Sequence, residues 1–534
     1  MASNAFKPES TLPRGESSLI WPPAMDSPSR EEFVKLAKLG NCIPITRKLL
    51  ADLETPLSAY RKLRGSGESF LFESVEGGEH LGRYSFVGCS PRAVIRQYGA
   101  RVDVIQGGKI SDSYVVEHAK EHHDNHCVSD GLEVVERIMK RYHAVPIPGQ
   151  PRFTGGAVGF IGYEFIHDIE PVVPVPPKDE LGTPVLYFLI ADQVLVFDRV
   201  AQTLTVTVNA ILEDGARIED YYDDAIGEID RIVELLRQPS SYEPISLPAV
   251  FPSIQFDSNT PKARFLSNVL KAKERIVAGD IIQVVGSQRF SSRVKSSPID
   301  IYRAVRSINP SPYMFLLELE GFSLVGASPE LHVRCVERQV EIRPIAGTRH
   351  RGKTEQEDLA LEKELLADPK ERAEHVMLVD LARNDIGRVC EYSSVKVQEL
   401  MVVERYSHVM HIVSQVNGVL SPERSSYDLM RATFPAGTLT GAPKIRAMQI
   451  ISELEGTARG PYGGCVGYFG FNGNADHCIT IRTALVKDGK AYVQAGGGWV
   501  NDSTPEGEFE ETVNKSKAMR IAIALAEQFP PSES

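Results

Sequence analysis

Gln494-Ala-Gly-Gly-Gly-Trp-Val-Asn-Asp-Ser-Thr-Pro-Glu-Gly-Glu-Phe-Glu-Glu-Thr-Val-Asn-Lys515 decides how the rest of the chain is read. It reads as strand, glycine loop and helix. A β-like run closes over Ala491 to Gln494. Gly496, Gly497 and Gly498 then let bare backbone approach a neighbour, because no Cβ stands in the way. Ser503 and Thr504 are capping residues, Pro505 suits a first helical turn, and Ser503 with Glu506 has capping-box spacing. The predicted helix carries Phe509, Val513, Ser516, Met519 and Ile523 on one core-facing stripe. Beside it, Glu508, Glu511 and Lys515 line up at i, i+3 and i+7. Two carboxylates and an ammonium next to a glycine loop suit a metal ion plus an anionic ligand. The same pattern also describes a solvated acidic helix start, favoured by the helix dipole.

A second acidic pair lies upstream. Pro369 opens a predicted helix running to about Asn384, and Glu371 and Glu374 stand at i and i+3, followed by His375. Magnesium takes oxygen ligands, keeps several waters and uses one or two protein carboxylates plus substrate oxygens. One carboxylate from each helix meets that need. A hydroxylic and cationic set accompanies them. Thr438 and Thr440 sit in Pro435-Ala-Gly-Thr-Leu-Thr-Gly-Ala-Pro-Lys444, and Arg482 lies in Ile479-Thr-Ile-Arg-Thr483, read as an alternating strand. Arg482 is able to grip a carboxylate bidentately or to end a strand in a surface ion pair. His411, in the apolar run Val409-Met-His-Ile-Val413, suits a satisfied core position as well as a catalytic one. Gly463-Gly-Cys465-Val-Gly467 has the GxCxG form of a glutamine amidotransferase nucleophile. Phe469 replaces the usual glutamine there, and no HxE dyad occurs in the chain. Cys465 is therefore read as a buried strand cysteine.

The bulk figures bound the partners. The 534 residues, 42% of them hydrophobic and with net charge −12, suit two globular domains and argue against nucleic acid or anionic membrane as partners. Seven scattered cysteines without CxxC pairs point to a reducing compartment and away from a zinc knuckle. No run has membrane-span length and no apolar h-region opens the chain, so a cytoplasmic protein is expected.

Along the chain, residues 1–40 read as a polar tail, 41–237 as a first domain, 238–259 as a proline- and serine-rich linker and 260–530 as a second domain. The fold class expected is α+β. The strand-like Ser69 to Ser74, a hairpin within Val185 to Leu212 and a helix over Asp220 to Arg237 mark the first domain. Asp280 to Val285 as a strand, Ile301 to Ile308 as a helix, a turn at Asn309-Pro-Ser-Pro, a hairpin within Tyr313 to Val325 and a turn at Pro344 to Arg349 mark the second. Gly155-Gly-Ala-Val-Gly-Phe-Ile-Gly162 echoes Gly463-Gly-Cys-Val-Gly-Tyr-Phe-Gly470. The echo is read as two strands with similar backbone crowding rather than as a repeat.

These motifs carry a resemblance. Asp380-Leu-Ala-Arg-Asn-Asp385, the Pro435 to Lys444 segment and the terminal Pro505 to Lys515 pattern resemble the chorismate-utilising enzymes from about Lys262 to Glu527. Leu71-Phe-Glu-Ser74 and Gly82-Arg-Tyr-Ser85 resemble the amino-terminal domain of the anthranilate synthase component I family. The resemblance implies strand-rich layers with helices outside and a central cleft. It implies a magnesium-dependent carbon–oxygen lyase that makes anthranilate and pyruvate from chorismate and ammonia, the committed step of tryptophan biosynthesis. The ammonia would come from glutamine through a partner amidotransferase subunit. By the family pattern, Glu374 and Glu511 bind Mg2+ with Glu371 and Glu508 flanking. Gly347, Thr348, Tyr462, Arg482, Gly496, Gly497, Gly498 and Lys515 bind chorismate, and Thr438 and His411 sit against the reacting ring. Glu73, Ser74, Asn309, Pro312, Tyr313 and Met314 are similar to a feedback site for L-tryptophan.

Three positions refine the expectation. Isochorismate and salicylate synthases use a lysine to activate water where Gln283 stands here, and glutamine cannot act as that base. Aminodeoxychorismate synthases, the competing enzymatic reading, often carry a nucleophilic lysine where this chain has Ala346. His350 departs from the proline usual after Gly-Thr-Arg. A catalytically inactive tryptophan-binding subunit is the remaining alternative, and the complete acidic and glycine set argues against it.

Overall fold

The computed structural model describes residues 26–74, 82–118, 125–213, 215, 217–239, 245–405 and 409–530. Two large sheets, almost wholly antiparallel, face each other. The first holds twelve strands and the second thirteen. Each draws strands from both halves of the chain. In the first, Ser69–Glu73 pairs with Tyr313–Leu319, setting Glu73 opposite Met314 and Phe72 opposite Phe315. In the second, Gly156–Ile161 pairs with Cys465–Gly470, setting Gly159 opposite Gly467. The two echoing glycine-spaced segments are thus adjacent strands. A side chain at either facing glycine would run into neighbouring backbone, at Tyr187 for one and Asp476 for the other, which is the crowding read from the sequence.

Apolar side chains from both inner faces fill the space between the sheets. Phe70, Phe86 and Phe315 of the first meet Phe160, Tyr187 and Tyr468 of the second. Helices cover the outer faces. Ile218–Arg237, Pro298–Ile308 and Pro505–Ala526 pack on the first sheet, and Gly131–Met139, Pro369–Gly387 and Ser426–Thr433 on the second. The class is α+β, as expected. Leu186–Ala191 is buried at every position, as a strand covered on both faces must be. After Asp192 the chain crosses to the other sheet, so the expected hairpin is formed by Gln193–Asp198 and Thr203–Ile211.

Several expectations change. Part of the anticipated tail is folded: Arg30–Leu36 is a helix with a Ser29–Glu32 capping box and a fully buried Phe33. Residues 1–25 lie outside the described residues. The anticipated turn over Pro344 to Arg349 is largely a strand, Ile345–His350, paired with Val409–Val419. Glu355–Ala367, Ser426–Thr433 and Lys444–Glu455 are helices that the sequence reading did not assign.

Candidate active site

The opening stretch folds differently from its reading in one respect. The three glycines continue a strand, Lys490–Trp499, and form no loop. One edge of that strand pairs with Gln283–Arg293, placing Gly496, Gly497 and Gly498 opposite Ser287, Gly286 and Val285. On the other edge, pairing with Thr483–Lys487 ends at Val493. From Gln494 onward that edge has no strand partner among the described residues. At Gly497, a Cβ would lie 2.8 Å from Glu508 Oε2 and 3.2 Å from Glu511 Oε1. Only glycine lets the strand pass this close to two carboxylates.

The helix Pro505–Ala526 starts at Thr504, whose side chain accepts from the Gly507 amide at 3.3 Å. The expected Ser503–Glu506 capping box is absent. Ser503 instead accepts from the Val500 amide at 3.0 Å and donates to Glu508 Oε1 at 2.6 Å. The other oxygen of Glu508 is buried with no hydrogen-bond partner among the described residues. Burial pushes the Glu508 carboxyl up to about 7 against the pull of Ser503, with Glu511 adding repulsion. Lys515 pairs with Glu511 at 2.7 Å and donates to the Gly496 carbonyl at 3.1 Å.

Asp368 caps the helix Pro369–Gly387, accepting from the Lys370 and Glu371 amides at 2.9 and 3.3 Å. Its charges reach those of the Pro505–Ala526 helix: Glu511 acts on Glu374, and Lys370 acts on Glu508. Burial raises the Glu374 carboxyl, and its neighbours Glu371 and Glu511 raise it further against Lys370. Glu371 accepts from Arg349 at 3.2 Å and lies beside Gly347, where φ is 71° and a Cβ would sit 3.2 Å from Glu371 Oε2. Carboxylates crowded together from two helices, with the orphaned oxygen of Glu508 among them, fit a hard cation. Among the described residues no group of three His, Cys, Asp or Glu side chains is placed to hold a metal unaided. An ion here would complete its shell from water and substrate oxygens.

The cationic and ring-facing groups converge on the same place. Arg482 is not in a strand. It links Ala475–Ile479 to Thr483–Lys487 with φ of 51°, and its guanidinium donates to the Lys515 carbonyl at 2.9 Å. His411 Nδ1 lies 3.0 Å from the Gly347 carbonyl and 3.1 Å from the Thr348 hydroxyl. A carbonyl only accepts, so Nδ1 carries the proton and Nε2 is left as the acceptor nitrogen. Burial lowers the His411 pKa, and the nearby Arg482 and Lys515 lower it further, so the ring is neutral at physiological pH. Tyr462 is buried with its hydroxyl next to Gly496, and the Gln283 amide packs on Gly498. Thr440 faces inward on its own turn, donating to Ala436 and Gly437 carbonyls at 3.3 Å. Ala346 precedes Gly347 in the Ile345–His350 strand, and His350 ends it.

One acidic residue of this site escaped the sequence reading. Glu330, buried beside the Thr438 hydroxyl, has its carboxyl pushed up to about 7 by burial, with Thr438 and Lys515 opposing. It stands alone in Ala327-Ser-Pro-Glu330, without a helical partner at i+3 to flag it.

The second predicted cluster forms a separate cavity between the sheets. Glu73, Ser74, Pro312, Tyr313 and Met314 line it together with Arg334. Tyr302 and Arg306 hold Glu73 at 2.6 and 3.1 Å. The Ser74 hydroxyl is buried without a hydrogen-bond partner among the described residues. Tyr313 donates to Asp476 at 3.1 Å and accepts from Arg334 at 2.7 Å. Asn309 does not line the cavity; it caps the end of the Pro298–Ile308 helix. Cys465 is fully buried in a strand, its sulfur 3.8 Å from that of Met430, and burial holds its thiol well above the usual value. That excludes it as a nucleophile.

Residues 106–520 match the model of the chorismate binding enzymes. The chain belongs to that family. The match begins well before Lys262, and strands from the first half complete both sheets. Anthranilate synthase component 1 of Pseudomonas putida is 47% identical over 505 residues, 94% of this chain and 99% of its own length. The protein of that name from Acetivibrio thermocellus is 45% identical, over 93% and 99% of the two chains. Among solved structures, anthranilate synthase component I of Streptococcus pneumoniae matches with a TM-score of 0.72 at 35% identity, over 88% of this chain and 99% of its own. This chorismate binding enzyme shares its fold with the menaquinone-specific isochorismate synthase of Escherichia coli, TM-score 0.65 at 17% identity, over 92% and 98%.

Proposed function

We propose that this chain is the synthase subunit of an anthranilate synthase, converting chorismate and ammonia to anthranilate, pyruvate and water. The observation that carries the reading is one convergence. Glu511 meets the Gly497 backbone, repels Glu374 of a second helix and stands beside the cationic pair Arg482 and Lys515.

In this reading Glu374 and Glu511 hold Mg2+, with Glu371 and Glu508 flanking. When bound, the ion compensates the charge of the ring carboxylate and fixes its place. Arg482, Lys515, Thr348, Tyr462 and the backbone of Gly347 and Gly496 to Gly498 bind and orient chorismate. Ammonia forms a bond to C2, the ring double bonds shift, and the C4–O bond breaks. Glu330, protonated near neutral pH, delivers a proton so that the hydroxyl leaves as water. The new ammonium sheds its extra proton. Removal of the C2 proton then expels enolpyruvate, which takes up a proton as pyruvate, and the ring becomes aromatic. His411, neutral and with Nε2 as acceptor, suits the base, and Thr438, beside Glu330, sits against the ring. Gln283 beside Gly498 supplies no base for water, which favours ammonia as the nucleophile.

Ammonia reaches the enzyme from a partner amidotransferase in this reading, since this chain lacks an HxE dyad and buries Cys465. The Ser74–Met314 cavity takes L-tryptophan as feedback inhibitor. All seven cysteines are free thiols, which supports work in the cytoplasm. No helix among the described residues is long and apolar enough to cross a membrane. The test is turnover of the purified chain with magnesium. Anthranilate should form from ammonium salts at a pH that supplies free NH3, and not from glutamine. Glutamine-dependent turnover by a preparation free of other proteins would refute the partner requirement, and failure with ammonium would refute the reaction.

A further inference from the structure

Asp385 and Lys444 form an ion pair of 2.7 Å with both side chains largely buried, at 9% and 14% exposure. Asp385 lies near the end of the Pro369–Gly387 helix, the helix that presents Glu371 and Glu374. Lys444 opens the Lys444–Glu455 helix. Its ammonium also donates to the carbonyl of Thr433, the last residue of the Ser426–Thr433 helix, at 3.3 Å. One ammonium thus closes the neck of the segment 434–443, whose short turn Gly437–Leu439 carries Thr438. Farther along, the Gly437 backbone lies directly against the Leu381 side chain. The same helix therefore touches the segment at neck and tip. Between these two contacts the packing is incomplete: a cavity lined by Ala382, Thr433, Thr438 and Glu330 remains.

We propose that the Asp385–Lys444 pair is a clasp that sets Thr438 against the Glu371–Glu374 helix. It fixes the spacing between the groups that face the substrate's reacting carbons and those that face its carboxylate. Both are positioning residues, since among the described residues neither side chain bonds to the Gly497 strand. The proposal rests on the reading that Thr438 and the glutamates share one substrate. A buried ion pair is weak evidence for stability, because apolar groups of similar volume often replace one without loss. What such groups cannot reproduce is direction: an ammonium donating to one carboxylate and one carbonyl fixes three elements at once. The cavity beside the clasp leaves room for a shift when that direction is lost.

The test measures kcat and KM for chorismate at saturating ammonium and magnesium. In Asp385→Leu/Lys444→Met, kcat is expected to fall at least tenfold with KM changed less and the unfolding midpoint maintained. Asp385→Asn, which keeps the side-chain shape, is the second variant, with a smaller loss in the same direction. Its combination with Thr438→Ala separates positioning from general damage. If Asp385 acts through Thr438, the combined variant turns over like Thr438→Ala alone. Wild-type kcat in the folded clasp variants, or losses that multiply in the combination, would overturn the clasp. Glu374→Gln in the same assay guards the underlying reading: full activity there removes the shared site, whereas an inactive Glu374→Gln beside a fully active Asp385→Asn removes the clasp alone.

Discussion

The guanidinium of Arg482 donates to the backbone carbonyl of Lys515 at 2.9 Å, from a residue held at φ 51°. A non-glycine residue in the left-handed region costs free energy and persists where surrounding structure demands it. Here the demand comes from both sides: the Arg482 carbonyl accepts from the Ala327 amide at 3.1 Å while the side chain reaches the acidic helix. Arg482→Lys keeps the charge but loses the planar fork. It is expected to raise KM for chorismate by about ten- to 150-fold, the equivalent of a lost charge-assisted hydrogen bond. Steady-state kinetics check this, and an unchanged KM would leave Arg482 a structural link only.

Glu374→Gln and Glu511→Gln should each abolish magnesium-dependent turnover while the fold survives. Each removes a charged oxygen from a crowded acidic cluster, which relieves repulsion in the absence of the ion and weakens its capture. Magnesium titration of turnover, alongside circular dichroism, checks both. Near wild-type activity in either folded variant would sink the assignment.

Glu330→Gln should lower kcat by roughly 10²–10⁴-fold, the usual worth of a positioned acid. It should also change the pH dependence of stability. The Glu330 carboxyl rises from its usual 4.5 to about 7 on folding, so between those values the folded chain binds more protons than the unfolded one. Stability then falls as pH rises through that window, and Glu330 accounts for on the order of 3 kcal/mol of the fall. Urea unfolding at pH 5 and pH 7.5 should show a smaller drop in the glutamine variant. An equal drop in both proteins would remove Glu330 as its source.

Ser74→Ala or Met314→Thr should weaken tryptophan inhibition while sparing chorismate turnover. The Ser74 hydroxyl lacks a partner among the described residues and faces the cavity. Its loss should leave a polar group of the ligand unpaired, costing about 1–3 kcal/mol, or roughly five- to 150-fold in affinity. Calorimetric titration of tryptophan with and without chorismate tests the site and its coupling together, because coupling of two sites is reciprocal. Unchanged affinity in both variants would place the pocket elsewhere.

The acidic half of the site was legible because Glu371/Glu374 and Glu508/Glu511 repeat one helical spacing, which sequence displays directly. Glu330 was not, and Arg482 was named but placed in a strand, since each sits between strands and neither has a periodic partner. Gly496 to Gly498 were misread as a loop: glycine's poor strand propensity hid a strand whose pairing with residues 283–293 supplies its order. The helix Glu355–Ala367 was missed because its apolar positions form no single stripe and only Asp358 and Leu365 are buried. Local hairpins were visible as paired apolar runs, whereas the long-range seams were not, although the glycine echo at Gly159 and Gly467 marked one of them.

Those seams have a consequence for how the protein is made. Ser69–Glu73 and Gly156–Ile161 each wait for a partner strand more than two hundred residues later in the chain. At typical rates of synthesis that delay is on the order of ten seconds to a minute. Throughout it, the nascent first half presents two unpaired strand edges, the surfaces by which unfinished β-proteins stick to one another. The first edge closes on residues 313–319 and the second only on 465–470, so expression level and chaperone supply should affect how much folded protein a cell obtains.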